Sequence, residues 1–434
     1  MSDELRISDL RRPVLNDTQR AAMAYAESLD VELSVDSVLG QARSTTGLAN
    51  FGPEDFTERL GLLCHEWSAD HEITALGRLM LRNKLVQHAG SRLLIQDCWT
   101  RHPEILDTAI ERPIIVVGLP RSGTTHLLNT LAADPRLRSL PLWESYEPLP
   151  LPGEPSPGDE NDPRWFRCQK AWEGMQAVTP YLAAMHPMNP DHVHEELELM
   201  GPDFASYNYE WLAHSPRWRD HYLGHDQQPH YDYMKNVLRL LAWRDQQAGP
   251  GRSDHASRDG DAARRWVLKC PQHLEQLPAL TRTFPDATVV VTHRDPVAVI
   301  QSTVTMLAYG QRVSRRRVLV EELLEYWTER VEQLLAACVR DRGLLAPAHS
   351  MDLQFADFMA DEEGSVAAVY HLAGLELDAD TLKAIADYRR RHPRDRGGRV
   401  LYDLAGDFGT EPEELRKRFD FYSSRFPVQP IAGE

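Results

Sequence analysis

The residues best placed to do chemistry lie in one short stretch, residues 118–125, which reads GLPRSGTT. An apolar run, IIVV, precedes it and a helical pattern follows, so the stretch joins a strand to a helix. The backbone N–H groups of such a loop and the N-terminus of the following helix face an anion. Arg121, Ser122, Thr124 and Thr125 add a cation and three hydroxyls. This clustering favours a phosphate-like ligand over a tight turn that only closes the chain.

The stretch departs from a triphosphate-binding loop. It keeps the two glycines of the G-x-x-x-x-G-K-S/T pattern, but Thr124 stands where the lysine belongs. The later apolar strand 288–292 leads into His293 and Arg294, where a magnesium-binding carboxylate would be expected. A donor with fewer phosphates, whose group moves without a metal ion, fits these residues better. A sulfuryl group carries less negative charge than a phosphoryl group, so cations and hydrogen-bond donors alone could handle it.

These residues resemble those of sulfotransferases, which use 3′-phosphoadenosine 5′-phosphosulfate as donor. LPRSGTTHL resembles the family's loop for the 5′-phosphosulfate, and THRDPVAVIQS resembles its second motif, in which an arginine and a serine eight residues later hold the 3′-phosphate. WVLKCPQHL and the ending LYDLAGDFGTEPEELRKRFDFYSSRF are similar to the bacterial and tyrosylprotein-type branch. The resemblance covers residues 113–427. It implies a donor site formed by Arg121, Ser122, Gly123, Thr124, Thr125, Arg294 and Ser302.

Three positions depart from the family's pattern. Many relatives have lysine at the position of Arg121, where arginine keeps the charge and adds a planar fork. Many have tryptophan at the position of His126, which we expect to be a packed or surface histidine. The family's glycine-rich phosphate contact near the C-terminus is only faintly echoed by RDRGGR (394–399). Arg396 and Arg399 could contact the 3′-phosphate, but a solvated charged loop is the favoured expectation.

The acceptor hydroxyl must lose a proton, so a general base should lie within hydrogen-bond reach of it. Glu144 is the first candidate, because the tyrosylprotein-type relatives carry a catalytic glutamate at this point of the chain; Glu147 is its neighbour. The segment DHVHEELELM (191–200) is predicted to be an acidic, mostly solvated helix. Glu195 or Glu196 on it is the second candidate, because bacterial relatives often have an acidic helix along the acceptor pocket. Its H-x-H-E pattern lacks a third cluster of ligands, so no metal site is expected.

Lys269 follows a predicted strand at 266–269 and should point toward the carboxyl edge of the sheet, where ligands bind in α/β folds. The family resemblance favours a functional role over a lysine that merely extends to solvent. Arg121 and Lys269 would then stabilise the negative charge that develops on the leaving phosphate oxygen. The expected reaction is transfer of a sulfuryl group to an acceptor hydroxyl, with Glu144, Arg121 and Lys269 as catalytic residues.

The remaining pattern indicates the elements that position these residues. Residues 1–111 have helical periodicity and predict a helical N-terminal cap, whereas residues 112–434 alternate strands and helices. This alternation predicts an α/β, P-loop-like three-layer fold with a central, mostly parallel sheet. The segments 149–163 and 246–263 are rich in Gly, Pro, Ser and charge and are expected to be flexible surface loops. Strand–helix units are predicted in RPIIVVGLP, RWVLKC, ATVVVTH and HSMDLQF, with a further strand in RLRSLPLWE.

Composition narrows the function further. The 434 residues carry a net charge of −17, which disfavours a nucleic-acid partner. No run of eighteen apolar residues predicts a membrane span, and five scattered cysteines suggest a reducing, cytoplasmic location. The partner expected is a small-molecule acceptor, and a phenol, a lipid, a glycan and a small alcohol remain open. A metal-dependent nucleotide kinase and a catalytically silent nucleotide-binding module are the alternatives.

Overall fold

The computed structural model describes residues 4–155, 162–248, 264–392 and 398–430. Parts of the two expected loops, 156–161 and 249–263, and Arg396 lie outside the described residues. The strands are β1 Glu4–Arg6, β2 Ile114–Gly118, β3 Leu137–Arg138, β4 Arg265–Lys269, β5 Thr288–His293, β6 Ser350–Gln354 and β7 Arg399–Leu401. The 3₁₀ segments are Pro103–Asp107, Glu196–Asp203, Pro271–Glu275 and Arg342–Leu344.

The α-helices are α1 Asp17–Glu27, α2 Val35–Thr46, α3 Phe56–Ala69, α4 Ala75–Arg101, α5 Thr124–Ala132, α6 Leu142–Tyr146, α7 Pro163–Val178, α8 Leu182–Met185, α9 Asn208–Leu212, α10 Pro216–Gly224, α11 Gln228–Ala248, α12 Leu277–Thr283, α13 Pro296–Ser314, α14 Val320–Asp341, α15 Phe355–Ala360, α16 Glu362–Ala373, α17 Ala379–Arg391, α18 Leu404–Phe408, α19 Pro412–Lys417 and α20 Asp420–Ser423. Within the described parts of the chain, no helix combines the length and apolarity needed to cross a membrane.

A five-stranded parallel sheet in the order β3-β4-β2-β5-β6 forms the centre of the fold. In β2, Ile115 pairs with Leu268 of β4 on one side and Val289 of β5 on the other. The pairing places the carboxyl ends of β2, β4 and β5 at one edge, so the residues that follow these strands meet there. The predicted α/β fold with a mostly parallel central sheet is confirmed.

Both faces of the sheet are covered, which gives the three layers. Ile114 and Val116 of β2 pack with residues of α5 and α16 on one face. Ile115 and Val117 pack with residues of α11, α13 and α14 on the other. Alternate residues of a strand point to opposite faces, so a strand covered on both sides is apolar along most of its length. The unbroken apolar run of β2 is the consequence.

Local signals place the helix that follows β5. The Asp295 side chain accepts a hydrogen bond from the backbone N–H of Val297, and Pro296 is the first residue of α13. Such a capping residue satisfies a backbone donor that the helix itself leaves free, and proline tolerates the first helical position. The predicted start of this helix is therefore confirmed. It places Ser302 two turns into α13, near the carboxyl edge of the sheet.

One predicted strand is shorter in the structure than expected, and one predicted helix was wrong. The strand expected in RLRSLPLWE is reduced to the two residues of β3, and α6 begins at Leu142. The segment 191–200 is not a solvated helix: Val193 bridges Pro141, Glu195 is extended, and a buried 3₁₀ segment begins at Glu196. Its three glutamates, Glu195, Glu196 and Glu198, are buried because cationic or histidine partners face them.

The N-terminal helices share their core with the rest of the chain. Residues of α2, α3 and α4 pack with Phe204, Tyr209, Trp218 and Tyr222 in one buried cluster. Residues near the end of α4 belong instead to the cluster on the face of the sheet that carries α13 and α14. β1 pairs in parallel with β7, which ties the beginning of the chain to a segment near its end. Helix α4 therefore packs on this face of the sheet, where it can form one wall of a site.

Candidate functional site

The loop between β2 and α5 adopts a left-handed turn. Arg121 has φ +64° and Gly123 has φ +83°, and α5 begins at Thr124. A positive φ costs a residue with a side chain about 1–2 kcal/mol, so Arg121 is held there by its surroundings. A Cβ at Gly118 would collide with the Thr292 hydroxyl of β5, which explains glycine at the end of β2.

The predicted residues Arg121, Arg294 and Ser302 lie together. The Arg121 Nε donates to Ser302 Oγ at 2.9 Å, and another guanidinium nitrogen donates to the Met185 carbonyl. Arg294 donates to the Arg121 carbonyl at 2.5 Å and thereby supports the left-handed turn. Arg294, directly after β5, and Arg121, in the loop after β2, thus form one cationic cluster, to which Ser302 of α13 is hydrogen-bonded.

Two aromatic residues complete this cluster, and neither was singled out in the sequence. The Phe355 ring lies 4.2 Å from the Arg294 guanidinium. The Tyr402 hydroxyl accepts a hydrogen bond from Ser302 at 3.0 Å. Tyr402 follows β7, a hundred residues after Ser302 in the chain. No spacing rule connects two residues so far apart, and only the course of the chain beside β1 brings them together.

Ser122 lies at the back of the loop. Its hydroxyl contacts the Leu119 carbonyl at 2.6 Å and Thr292 Oγ1 at 2.9 Å, and the side chain is buried. These bonds hold the loop against β5. The hydroxyl is therefore occupied in shaping the turn, and the residues that line the cavity described below are its neighbours Arg121, Gly123 and Thr124.

Lys269 lies at the carboxyl end of β4 with only 2% of its surface exposed. Its ammonium donates to Thr125 Oγ1 at 3.2 Å and contacts a carboxylate oxygen of Glu195. Burial lowers the pKa of Lys269 to about 7, and the nearby Arg121 charge acts in the same direction. The Glu195 carboxylate favours the protonated form. Lys269 therefore links the loop to the first acidic residue of the 195–198 run.

The three buried glutamates of that run have different partners. Glu196 accepts hydrogen bonds from the Lys269 backbone N–H at 2.9 Å and contacts His273 Nε2 at 2.7 Å. Glu198 pairs with Lys84 of α4 at 2.8 Å. Glu195 lines the cavity beside Lys269, whereas Glu196 is completely buried. Of the two alternative bases, Glu195 is the one in position to meet an acceptor.

Glu144 lies on α6 in a buried ion pair. Its carboxylate oxygens are 2.7 and 2.9 Å from a guanidinium nitrogen of Arg138, which also pairs with Asp245 at 2.8 Å. Of the described residues that line the cavity, Glu147 is one and Glu144 is not. Glu147 pairs with Arg167 of α7 at 2.9 Å. Glu144 thus lies beside the predicted site rather than in it.

Three histidines surround the Glu195–Lys269 contact. The rings of His186, His192 and His194 lie 6.0–6.2 Å apart, centroid to centroid. Burial lowers the pKa of His186 to about 3 and that of His192 to about 4, and it lowers the pKa of His194 as well. These rings are neutral at pH 7, so the positive charge here comes from arginine and lysine. Among the described residues, no group of three His, Cys, Asp or Glu side chains is arranged to hold a metal ion.

Two further basic residues discussed from the sequence are His126 and Arg399. His126 is on the first turn of α5 and its ring nitrogen is 3.1 Å from a carboxylate oxygen of Glu362. Arg399 begins β7 and is exposed. The structure thus brings together the loop, Lys269, Arg294 and Ser302.

A cavity of about 940 Å³ opens from this cluster. Its inner end contains Arg121, Thr125, Glu195, Lys269 and Arg294. Its outer part runs between α4, α7, α13 and α14. The volume falls within the range of small-molecule sites, which is about 300–1,000 Å³. The aromatic residues of the 165–233 region have different positions: Trp211 lines the cavity, whereas Trp218 and Tyr231 belong to the core.

Known proteins that resemble this chain in sequence and fold identify its family. A model of the sulfotransferase family matches residues 113–379, more than half of the chain. The sulfotransferase STF1 from Mycobacterium tuberculosis H37Rv is 29% identical, with a TM-score of 0.75 over 90% of this chain and 100% of that one. STF9 from Mycobacterium avium shares the fold, at 24% identity and a TM-score of 0.79 over 94% of this chain and 100% of that one. A search of curated proteins gave no match. The chain belongs to the sulfotransferase family and is an enzyme that transfers sulfuryl groups.

Proposed function

We propose that the enzyme transfers the sulfuryl group of 3′-phosphoadenosine 5′-phosphosulfate to the hydroxyl of a small-molecule acceptor. The observation that carries the proposal is the position of Lys269. Its ammonium touches Thr125 of the loop on one side and Glu195 on the other, inside one cavity. A cation at this point would lie between a donor held by the loop and a base that serves the acceptor.

The residues present suit the chemistry of this donor. The loop and the N-terminus of α5 would hold the 5′-phosphosulfate, with Arg121, Thr124 and Thr125 adding charge and hydroxyls. Arg294 and Ser302 would hold the 3′-phosphate. Both are already linked to Arg121 by hydrogen bonds, so the parts of the site for the two phosphate groups adjoin.

When bound, the donor supplies an activated sulfur atom whose bond to a bridging phosphate oxygen breaks as the acceptor oxygen bonds to sulfur. Glu195 accepts the proton of the attacking hydroxyl. Lys269 and Arg121 stabilise the negative charge that remains on the phosphate oxygen, the kind of electrostatic contribution that often dominates catalysis. Moving Lys269 from Glu195 toward that oxygen leaves the carboxylate free to act as the base.

The donor assignment is tested by calorimetric binding of the product, adenosine 3′,5′-bisphosphate. We expect Arg294→Ala to weaken this binding by about 10- to 100-fold, the effect of losing a hydrogen bond to a charged group. Arg317→Ala is the matched control, because Arg317 is exposed and pairs with Glu72 at the surface. Absence of binding, or equal binding by Arg294→Ala and the parent enzyme, would refute the donor assignment.

The same preparation separates the two alternatives. Tighter binding of ATP with Mg²⁺ than of the bisphosphate would indicate a kinase. Bisphosphate binding without sulfuryl transfer from the labelled donor to any acceptor of a broad panel would indicate a silent binding module.

A further inference from the structure

We propose that the acceptor is an apolar molecule with a single alcohol or phenol hydroxyl, and that helix α4 forms the wall that selects it. This inference rests on the proposed function, because it assigns the second substrate of the same site. It excludes the glycan from the four acceptor classes left open by the sequence, requires the others to be apolar, and gives the N-terminal helices a role in substrate choice.

The outer wall of the cavity carries large apolar side chains. Three elements contribute large apolar side chains to it: α4, α9 and α14, with Ile73 just before α4. The side chains are those of Ile73, Leu76, Met80, Trp211, Leu323 and Trp327. The rings of Trp211 and Trp327 lie 4.3 Å apart, centroid to centroid, and form one continuous aromatic surface. Such a surface gains free energy from contact with apolar groups in proportion to the area buried.

Three charged residues of the wall, Lys84, Glu210 and Arg315, are neutralised by partners within the protein. The pairs are Lys84 with Glu198, Glu210 with Arg330, and Arg315 with Asp70, each with 2.8 Å between nitrogen and oxygen. The Lys84 ammonium also lies 3.8 Å from the centre of the Tyr146 ring. A glycan or a charged acceptor would lose its hydration here without matching partners, which is unfavourable.

The cavity opens to solvent beside apolar side chains. Met80 lines the cavity and is 54% exposed, and Leu212, which also lines it, is 37% exposed. Apolar contact thus continues from the interior to the surface of the protein. At Gly77, α4 meets the end of α13 so closely that a Cβ would collide with the Ser314 carbonyl. This close approach fixes α4 against the domain that carries the donor site, so the wall is part of a defined pocket.

The direct test measures binding of para-butylphenol, para-hexylphenol, para-octylphenol and the disaccharide trehalose to the full chain. Calorimetry and tryptophan fluorescence follow binding, with and without adenosine 3′,5′-bisphosphate. We expect affinity to rise about fourfold for each added methylene and trehalose not to bind. Affinity that does not increase with chain length, or binding of trehalose in preference to the phenols, would overturn the proposal.

The bisphosphate and the phenol series test the donor assignment and the acceptor class separately. If the bisphosphate fails to bind while the phenol series shows the expected increase, the donor assignment is wrong and the apolar site stands. If the bisphosphate binds and the phenol series shows no increase, the donor assignment stands and the acceptor class is wrong.

A matched pair of variants locates the site. Met80→Glu places a charge at the cavity mouth on an exposed position, and we expect it to weaken para-octylphenol binding about tenfold. Leu382→Glu is the control, because Leu382 is 47% exposed on α17 and does not belong to the described cavity lining. Both variants should bind the bisphosphate like the parent enzyme. Equal effects of the two substitutions on phenol binding, or no effect of Met80→Glu, would refute the role of α4.

Discussion

At the scale of single residues, the contact between Lys269 and Glu195 has two chemical consequences. The ammonium is buried, which disfavours its charge, and the carboxylate in contact with it favours that charge. A donor phosphate near Lys269 would compete with Glu195 for the same ammonium. The contact therefore places an ammonium and a carboxylate side by side in a buried site, and we expect a bound donor to separate them.

The first prediction distinguishes the two candidate bases. We expect Glu195→Gln to lower kcat by about 10²- to 10⁴-fold, because general-base catalysis contributes factors of that size. Bisphosphate affinity should change little. Glu144→Gln is the matched substitution, and it should leave kcat nearly unchanged because Glu144 pairs with Arg138 beside the cavity. The reverse ranking in steady-state assays with the labelled donor would identify Glu144 as the base.

The second prediction concerns pH. Because the pKa of Lys269 is about 7, the fraction that carries the catalytic positive charge falls as pH rises through neutrality. The value of kcat/KM, which reports the free enzyme, should therefore fall above about pH 7. In Lys269→Arg the guanidinium stays charged, so this decline should move to higher pH whatever the change in maximal rate. An alkaline decline at the same pH in both enzymes would contradict a role for Lys269 ionisation.

The sequence predicted that Arg121, Arg294 and Ser302 lie together, and they do, whereas Glu144, its first candidate for the base, does not belong to the described cavity lining and Glu195 does. Arg121, Arg294 and Ser302 follow strand ends, and parallel strands bring such positions to one edge. Glu195 lies in an extended segment whose burial depends on Lys269, a partner far along the chain. Periodicity describes only neighbours in sequence, so an acidic run that pairs with distant cations has the pattern of a solvated helix.

At the scale of elements, the pairing of β1 with β7 reaches the predicted donor site through Tyr402. This residue follows β7 directly, and its hydroxyl completes a chain of hydrogen bonds to Ser302 and Arg121. Arg6 of β1 adds an ion pair with Asp407 at 2.7 Å, which holds the two segments together beyond the short strand pairing. The beginning of the chain therefore helps to position a residue of the expected 3′-phosphate site.

The third prediction follows from this chain of hydrogen bonds. Tyr402→Phe removes the acceptor of the Ser302 hydroxyl proton while keeping the ring, so it should weaken bisphosphate binding by about 3- to 10-fold, roughly one hydrogen bond. Tyr25→Phe is the control, because Tyr25 is exposed on α1. Calorimetry on both variants gives the comparison. Unchanged affinity in Tyr402→Phe would show that the hydrogen bond has no part in holding the donor.

Strands whose signals lie within their own residues were predicted well, whereas strands that depend on other parts of the chain were not. β2, β4 and β5 are apolar runs followed by turn or capping residues, and each was located within a few residues. β3 was expected to be longer because its apolar residues continue past Arg138, yet Pro141 ends the extended segment and α6 follows. β1 has no signal of its own, since its three residues become a strand only by pairing with β7.

At the scale of the whole molecule, helix α14 connects the cavity to the core. It contributes Leu323 and Trp327 to the cavity wall, and its Arg330 is completely buried. The Arg330 guanidinium pairs with Glu210 of α9 at 2.8 Å and with Glu275, at the end of the 3₁₀ segment after β4, at 2.9 Å. This ion-pair network therefore joins the acceptor wall to the strand that carries Lys269.

The fourth prediction is that Arg330→Met lowers the free energy of unfolding by about 3–5 kcal/mol, because it leaves two buried carboxylates without their cation. Burial already raises the pKa of Glu210, and loss of Arg330 raises it further. A carboxyl group whose pKa is raised in the folded state stabilises the fold in its protonated form, below that pKa. The loss of stability should therefore be smaller at pH 5 than at pH 8.

Urea denaturation at the two pH values measures this difference. Arg317→Met is the matched control: its partner Glu72 lies at the surface, where ion pairs contribute little, so we expect no measurable change at either pH. A loss of stability in Arg330→Met that does not depend on pH would mean that lost packing of the long side chain dominates, and not the unpaired charge. Because Arg330 lies one turn after Trp327 on α14, the variant should also bind para-octylphenol more weakly at pH 8 while it is still folded.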